Sequence, residues 1–439
     1  MTPLVYSARV IGILVVLAVV DVGDSRNQSG HSGNYTNLII YAIIAVVALI
    51  GGWISWLVTR YRVEKGELRV DSGLLRRQSK RLRLDRLQSV DVVSPVVARI
   101  FGLSELRLTT GGSDHTSVRL RYLPATEAQQ LRAELLGLAA GLGPGVAEAP
   151  ERPLFVVQPG TLVASIFLSL LSGQILLLAI GPLAGALTAS NGGSAGFAVG
   201  FGVGAPMLIV VINYVWRKLN AQWSFTVAQS PDGLRIRAGL LSTTAQTVPP
   251  GRIQALRIEQ PFLWRPFGWA AVHINVAGVG RSQQSSRILL PVAPLSVARE
   301  LVEYVLGGVQ IDSVETIRPP KRAALCSPLW WRFMSAGSDD HIFVSRRGMF
   351  SPVIDIVPNA RTQSVRLKAG PWQRLWGLVT LHLDSTRGPV RVKAAHRDAI
   401  EGRSMLDEQA RRAQAARLSA GPDRWMAHQP APQGKIPSV

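Results

Sequence analysis

The chain has 439 residues, of which 47% are hydrophobic, and its formal net charge is +20 at pH 7. This length is too great for a single hydrophobic core and predicts several domains. The one cysteine, Cys326, excludes an intrachain disulfide framework and a cysteine-rich metal site.

Four apolar segments fall in two pairs, at residues 4–20, 38–58, 162–183 and 195–216. A helix needs roughly 20 apolar residues to cross a bilayer, so the last three segments are long enough and the first is marginal. A signal peptide is the alternative for the first segment, because Arg9 precedes an apolar run. The sequence DVGDSRNQSG that follows has no Ala-x-Ala cleavage site, which favours a retained anchor. We therefore predict four transmembrane helices.

Basic residues flank these segments at one end of each pair: Arg60, Arg62, Lys65, Arg152 and Arg217. Cytoplasmic loops are enriched in such residues, so the pattern predicts a multi-pass plasma-membrane protein with both termini in the cytoplasm. The last three segments contain no ionisable residue, which favours an anchoring role over transport of ions or protons. Glycines at every fourth position from Gly196 to Gly204 are typical of close helix packing.

A polar-then-aromatic motif occurs three times, in segments that begin at Asp85, Gly251 and Ala360. In each copy an Arg-x-Gln is followed, eleven residues after the glutamine, by Arg-x-aromatic-Gly. The motif residues are Arg86, Gln88, Arg99, Phe101 and Gly102 in the first copy, Arg252, Gln254, Arg265, Phe267 and Gly268 in the second, and Arg361, Gln363, Arg374, Trp376 and Gly377 in the third. Identical spacing in three copies indicates one repeated structural unit.

Each unit has the same predicted order of elements. Residues before and after the motif alternate between apolar and polar, with glycines at the turns, which predicts β-hairpins. Helical periodicity follows in PATEAQQLRAELLGL, near residues 294–306, and over residues 398–417. The unit is therefore predicted to be a small β-barrel or sandwich closed by one amphipathic helix.

These motifs, with Tyr-x-Val and Gly-Leu-Leu before the first copy, resemble the bacterial pleckstrin-homology-like "membrane-flanked domain" family. The resemblance implies an α+β membrane protein: four transmembrane helices and three units of two antiparallel sheets, with seven strands and a capping helix each. The implied domains are a helical pair at 1–58, a first unit at 59–140, a helical pair at 160–217, a second unit at 222–308 and a third at 338–416. A disordered tail is predicted at 420–439.

We interpret the motif residues as structural. The glycines fit a turn or bulge that needs an unusual backbone conformation, and the preceding aromatic residues are predicted to be buried against the closing helix. The arginines of Arg-x-Gln have two interpretations, a hydrogen-bonding clasp on neighbouring carbonyls and a contact with an anionic headgroup, of which the clasp is favoured. A basic run in the first copy provides better candidates for lipid contact: Arg76, Arg77, Lys80, Arg81 and Arg83.

Catalytic, cofactor and metal motifs are missing from the sequence, since it has no phosphate-binding loop, no Cys-x-x-Cys and no His-x-x-x-His. We therefore predict no enzymatic activity, no cofactor and no metal. The leading hypothesis is a membrane-anchored scaffold or binding protein for cell-envelope maintenance or stress resistance. Its predicted partners are membrane lipids with anionic headgroups and an unidentified protein, and nucleic acid is disfavoured. The alternative is a transporter or export component that these domains regulate.

Overall fold

The computed structural model describes residues 60–64, 67–72, 78–83, 87–95, 98–99, 101–110, 118–139, 152–171, 209–230, 233–248, 250–277, 287–386 and 388–419, together with five positions between 40 and 47. These residues form two compact units, residues 1–148 and 149–439. The predicted tail at 420–439 and the glycines from Gly196 to Gly204 lie outside the described residues.

The first unit contains the first repeat. Its strands β1 (Arg60–Glu64), β2 (Glu67–Ser72) and β3 (Gln78–Arg83) form an antiparallel sheet in that order. Strands β4 (Leu87–Ser94), β5 (Leu103–Thr110) and β6 (Val118–Pro124) are antiparallel neighbours with β5 in the middle. Helix α1 (Ala125–Ala139) follows and buries Ala128, Leu131 and Leu135 along one side.

The second unit opens with β7 (Arg152–Val156), α2 (Pro159–Leu171) and a helical segment at residues 209–222. Strand β7 pairs with β8 (Thr226–Ser230), which is followed by β9 (Gly233–Ala238) and β10 (Thr243–Val248) in antiparallel order. The sequence-based interpretation did not include β7.

A six-stranded antiparallel sheet joins the second and third repeats. The second repeat contributes β11 (Ile253–Glu259), β12 (Trp269–Val276) and β13 (Ile288–Pro294). The third contributes β14 (Ser335–Ser338), β15 (Ile342–Arg347) and β16 (Val353–Pro358). Strands β11 and β16 pair directly, with Leu256 opposite Ile356. Half of the second repeat and half of the third are thus part of one continuous sheet.

The third repeat is completed by β17 (Ser364–Lys368), a short helix α4 (Pro371–Leu375), β18 (Leu378–Asp384), β19 (Val392–Asp398) and the closing helix α5 (Ala399–Ser419). The closing helix of the second repeat is α3 (Leu295–Val305). It buries Val297, Ala298, Leu301 and Val302, which lie on one stripe of a 3.6-residue period. The three closing helices lie where the sequence predicted them, and each repeat has six described strands rather than seven.

The hydrophobic cores lie between the two halves of a repeat. In the second repeat, Val227 of β8 and Leu234 and Ile236 of β9 share a core with Leu256, Ile274 and helix α3. In the third, Phe343 and Val357 pack with Leu381, Leu383 and Val392. Each of these repeats is therefore a sandwich of two sheet halves, as the alternating pattern predicted.

The predicted fold class, with four transmembrane helices, is wrong. Among the residues that the structure describes, no helix is long and apolar enough to cross a membrane. In the third apolar segment, the described residues form helix α2, which has 13 residues. The first apolar segment, most of the second, residues 172–183 of the third and residues 195–208 of the fourth lie outside the described residues. The in–out orientation depended on these helices and loses its basis with them.

Candidate functional site

The repeated Arg-x-aromatic-Gly forms the same turn three times. Gly102, Gly268 and Gly377 have φ angles of 66°, 64° and 61°. Each glycine N–H donates to the carbonyl of the motif arginine three residues earlier, at 3.0, 3.0 and 3.2 Å. Each glycine carbonyl accepts from the first backbone N–H of the closing helix, at 2.9, 2.7 and 3.0 Å. The predicted shared geometry is confirmed, and it couples the turn to the start of the helix.

The predicted burial of the motif aromatics is wrong. Phe101, Phe267 and Trp376 are 37%, 56% and 38% exposed. The second repeat shows why: residues 262–267 form a 3-10 turn that directs Trp264, rather than Phe267, into the core. The Trp264 indole N–H donates to the carbonyl of Ser165 at 3.1 Å, while Phe267 stacks on Trp269 near the surface.

The Arg-x-Gln residues do not share one environment. Gln254 is buried on β11, whereas Gln363 is exposed and its backbone N–H donates to the Asp384 carbonyl. Burial lowers the pKa of Arg252, and its carbonyl accepts from Ala277. The motif arginines Arg99, Arg265 and Arg374 are exposed, and Arg361 is half-buried.

Several predicted residues fall in the first repeat, where less is described. Lys80, Arg81 and Arg83 lie on β3, and Gln88 lies on β4. Arg76, Arg77 and Arg86 lie outside the described residues. The lipid-contact role of the basic run stays a prediction.

A basic cavity of about 900 Å³, which the sequence-based interpretation missed, lies between the second and third repeats. Its walls come from β11, β15, β17, β18, β19 and the loop that joins β18 to β19. Its basic lining residues are Arg257, Arg287, Arg347, Arg366, Lys368, Arg391 and Lys393. In the described part of the chain, Asp384 is the only carboxylate in this lining.

Strand register places three lining residues, including His382 of β18, in a row across the sheet β17–β18–β19. Arg366 is opposite His382, and His382 is opposite Lys393. Burial lowers the pKa of His382, and the positive charge of Arg366 lowers it further. Burial likewise lowers the pKa of Lys393, and Arg347 adds to this effect. The row is a concentration of positive charge that an anion would relieve.

A buried carboxylate on β16 positions two arginines of the cavity wall that β11 and β15 form. Asp355, whose side chain is fully buried, accepts from Arg257 Nε at 2.5 Å and lies 3.0 Å from Arg347 Nη2. Burial raises the pKa of Asp355, against the opposing effect of the two arginines. The carboxylate holds both guanidinium groups at the cavity while each stays partly exposed.

The loop between β18 and β19 is held by a residue of the second repeat. The side chain of Asn275, fully buried on β12, donates to the carbonyls of Thr386 and Val390 at 3.2 and 2.8 Å. Its oxygen accepts from the Val390 N–H at 3.0 Å. A Cβ at Gly388 would lie 1.9 Å from the Asn275 side-chain oxygen, so glycine allows the loop to approach this closely.

The cavity is suited to binding a compact polyanion. Guanidinium groups bind phosphate or carboxylate oxygens in a bidentate manner, and ammonium groups add point charges. Arg366 already makes such a contact with Asp384, through Nε at 2.7 Å and Nη2 at 2.9 Å. Among the described residues, no group of His, Cys, Asp and Glu side chains is arranged to hold a metal ion.

A serine–histidine pair elsewhere in the third repeat is not arranged for catalysis. Ser327 Oγ lies 3.0 Å from His396 Nε2, and Gln373 Nε2 lies 3.0 Å from His396 Nδ1. The Gln373 oxygen accepts from the Gly370 N–H, which fixes the orientation of the amide. Gln373 therefore donates to Nδ1, so that Nε2 carries the proton and donates to Ser327. The imidazole has no free base directed at the hydroxyl, and the network instead ties the segment around Ser327 to helix α4.

Comparison with known families identifies the repeats. The sequence model of the family described as "Bacterial PH domain" matches residues 11–139, 160–309 and 315–413, which together make up most of the chain. The chain belongs to the bacterial PH domain family. The three matches follow the three motif copies, and this confirms the resemblance that those motifs indicated.

A relative of this bacterial PH domain protein is the UPF0699 transmembrane protein YdbT of Bacillus subtilis (strain 168). The two are 22% identical over 278 residues, which are 56% of this chain and 55% of the relative. The chain thus spans about half the length of the curated relative it matches.

A sequence signal for the cavity did exist. Arg366 and Lys368 alternate with apolar residues on β17, so that both lie on one face of the strand. Arg391, directly before β19, and Lys393 on β19 follow the same alternation. Their convergence with Arg257 depends on the pairing of β11 with β16, across about a hundred residues, which no local pattern reveals.

Proposed function

We propose that this chain is a non-enzymatic, membrane-associated binding protein whose basic cavity takes a phosphate-bearing anion. The observation that carries the proposal is the cavity itself, with seven basic side chains and one lining carboxylate among the described residues. Hydrogen bonds to charged groups contribute about 1.5–3 kcal/mol each, so two or three such contacts are enough for specific binding.

Membrane association is supported by the name of the relative, a transmembrane protein, and by the net charge of +20. Anionic leaflets attract basic segments by about 1 kcal/mol per residue. In this proposal the basic run of the first repeat, including Lys80, Arg81 and Arg83 on β3, contacts anionic headgroups. The second and third repeats bind the anion and a protein partner, in cell-envelope maintenance or stress resistance.

The anion-binding part is tested by titrating the full-length chain, in detergent, with tripolyphosphate and following the heat of binding. Lys393→Gln and Arg366→Gln should each weaken binding about tenfold, since each loses a charge-assisted contact. Arg403→Gln is the matched control, because Arg403 is exposed on α5 and does not line the cavity. Equal affinities for all four proteins would refute the cavity as the binding site.

The lipid part has a separate test. A triple variant with Lys80, Arg81 and Arg83 changed to glutamine should bind vesicles rich in phosphatidylglycerol less tightly. The difference should shrink at high salt, because salt screens the attraction between basic side chains and anionic headgroups. Its affinity for tripolyphosphate should stay unchanged. Unaltered vesicle binding by the triple variant would remove the first repeat from the lipid contact.

A further inference from the structure

A cluster of exposed apolar side chains lies at one end of the six-stranded sheet. We call it the aromatic surface, and it consists of Phe262, Leu329, Trp330, Phe333 and Phe350. These side chains are 50%, 66%, 42%, 45% and 50% exposed. The Phe350 ring lies 5.8 Å from that of Phe262 and 6.2 Å from that of Trp330, edge to face in both cases. Three separate segments of the chain thus converge on one apolar surface.

The segments that present these side chains are fixed by buried anchors. The turn that carries Phe262 is held by Trp264, which is buried and donates to the Ser165 carbonyl at 3.1 Å. The segment that carries Trp330 is held by the bond between Ser327 and His396. The segments that carry the aromatic surface are therefore ordered, and its side chains lie outside the cores of the repeats.

Positive charge accompanies the aromatic surface. The contributing segments 261–268, 327–334 and 348–352 contain Arg265 and Arg332 and no acidic residue. Arg332 lies over the Trp331 ring, 5.6 Å from its centroid. Arg265 donates to the carbonyl of Met349, next to Phe350, at 3.5 Å. Two arginines are thus carried by the same segments as the aromatic surface.

We infer that the aromatic surface docks onto an anionic lipid bilayer. Tryptophan and other aromatic side chains favour the level of the headgroups, where an apolar ring and a polar group are both accommodated. Nearby arginines add attraction to an anionic leaflet. This combination of turns with exposed rings, arginines and no carboxylate fits a lipid surface, and the inference rests on the membrane association proposed above.

The unique cysteine provides a direct probe. Cys326 is partly exposed and lies four residues before Trp330. The full-length chain, labelled at Cys326 with an environment-sensitive fluorophore, is mixed with or reconstituted into vesicles that contain phosphatidylglycerol. Docking should shift the emission to the blue, and lipids brominated near the headgroup should quench it.

Two variants test the surface. Trp330→Glu and Phe350→Glu should each weaken the vesicle-dependent shift at least about tenfold, since an exposed ring is replaced by a charge that an anionic leaflet repels. Leu418→Glu is the matched control, because Leu418 is 82% exposed on α5 and outside the aromatic surface. Its shift should equal that of the unsubstituted chain.

Three outcomes would overturn the inference. If the chain stays with the vesicles but the probe is neither shifted nor quenched, membrane association stands and this docking surface is wrong. If the chain does not associate with vesicles at all, the proposed membrane association fails as well. If the shift depends on protein concentration and not on vesicles, a second copy of the chain covers the surface.

Discussion

The six-stranded sheet and the three-stranded sheet β17–β18–β19 are built from strands of the same repeating unit, but the burial of these strands differs. Five of the seven residues of β13 are buried, whereas all five residues of β17 are at least partly exposed. In β17 the apolar residues Val365 and Leu367 pack towards α5, and Arg366 and Lys368 face away. Strand β13 is thus almost entirely core, whereas β17 packs on one face only and presents basic residues on the other.

This difference teaches how a repeat acquires a site without changing its fold. The third repeat has the same glycine turn, at Gly377, and the same bond from this turn to a closing helix as the other two repeats. Its outward strand positions carry no packing role and are free to hold arginine and lysine. Substitutions of buried residues in the six-stranded sheet should therefore change the free energy of unfolding. Substitutions on the outer face of the sheet β17–β18–β19 should change anion binding.

The largest effect is expected where the two sheets meet. Asn275→Ala should lower the free energy of unfolding by about 2–4 kcal/mol, because it leaves buried backbone groups of the β18–β19 loop without partners. Chemical denaturation of the full-length chain measures this change. Thr386→Val on the same loop is the control, since the Thr386 hydroxyl is buried without a hydrogen-bond partner among the described residues and its loss should cost little. Equal losses for the two variants would break the proposed link between the sheets.

A smaller and uniform effect is expected at the repeated turn. Alanine at Gly102, Gly268 or Gly377 should cost about 1–2 kcal/mol each, because a left-handed backbone is unfavourable for a residue with a Cβ. A Cβ at Gly102 or Gly268 would meet no atom within 4 Å, and one at Gly377 only a side-chain nitrogen at 3.9 Å, so the backbone alone sets the cost. Asparagine should cost less at each position. Chemical denaturation measures the loss of stability in each alanine variant, and clearly different losses at the three positions would show that the turns are not equivalent.

Sequence reasoning recovered what depends on local pattern. The spacing of the three motifs predicted the glycine turns, and helical periodicity placed the closing helices correctly. It failed for β14, whose residues Ser335–Ser338 carry no apolar alternation, and for the pairing of β11 with β16, which depends on distant segments. It also failed for Phe267, because the 3-10 turn at residues 262–267 places Trp264, and not Phe267, in the core.

Acid should weaken the attachment of α4 to the segment around Ser327. A histidine in an unfolded chain titrates near pH 6.5. Burial lowers the pKa of His396 in the fold, and Lys393 lowers it further, so the folded state binds fewer protons than the unfolded one. This contribution to stability is complete above about pH 6.5 and is lost as pH falls through the lower folded pKa.

The test is the pH dependence of stability in His396→Asn. His396 has a φ of 56°, which asparagine tolerates, so the substitution removes the titration with little backbone strain. The loss of stability on acidification should become shallower, though not vanish, because burial also lowers the pKa values of His273 and His382. An unchanged slope in the His396 variant would contradict the assignment.

The smallest change in stability is expected on the charged face of the small sheet. Arg366→Gln removes an ion pair whose arginine is 51% exposed, and such pairs contribute about 0–1 kcal/mol. The same substitution should weaken tripolyphosphate binding. Asp384→Asn should do the opposite, because it removes the carboxylate that competes with an anion for Arg366 while leaving the guanidinium in the cavity. Titration calorimetry and denaturation of both variants give four values, and the two binding changes should differ in sign while the two stability changes stay small. A large loss of stability in both would mean that this face, like the six-stranded sheet, serves the fold.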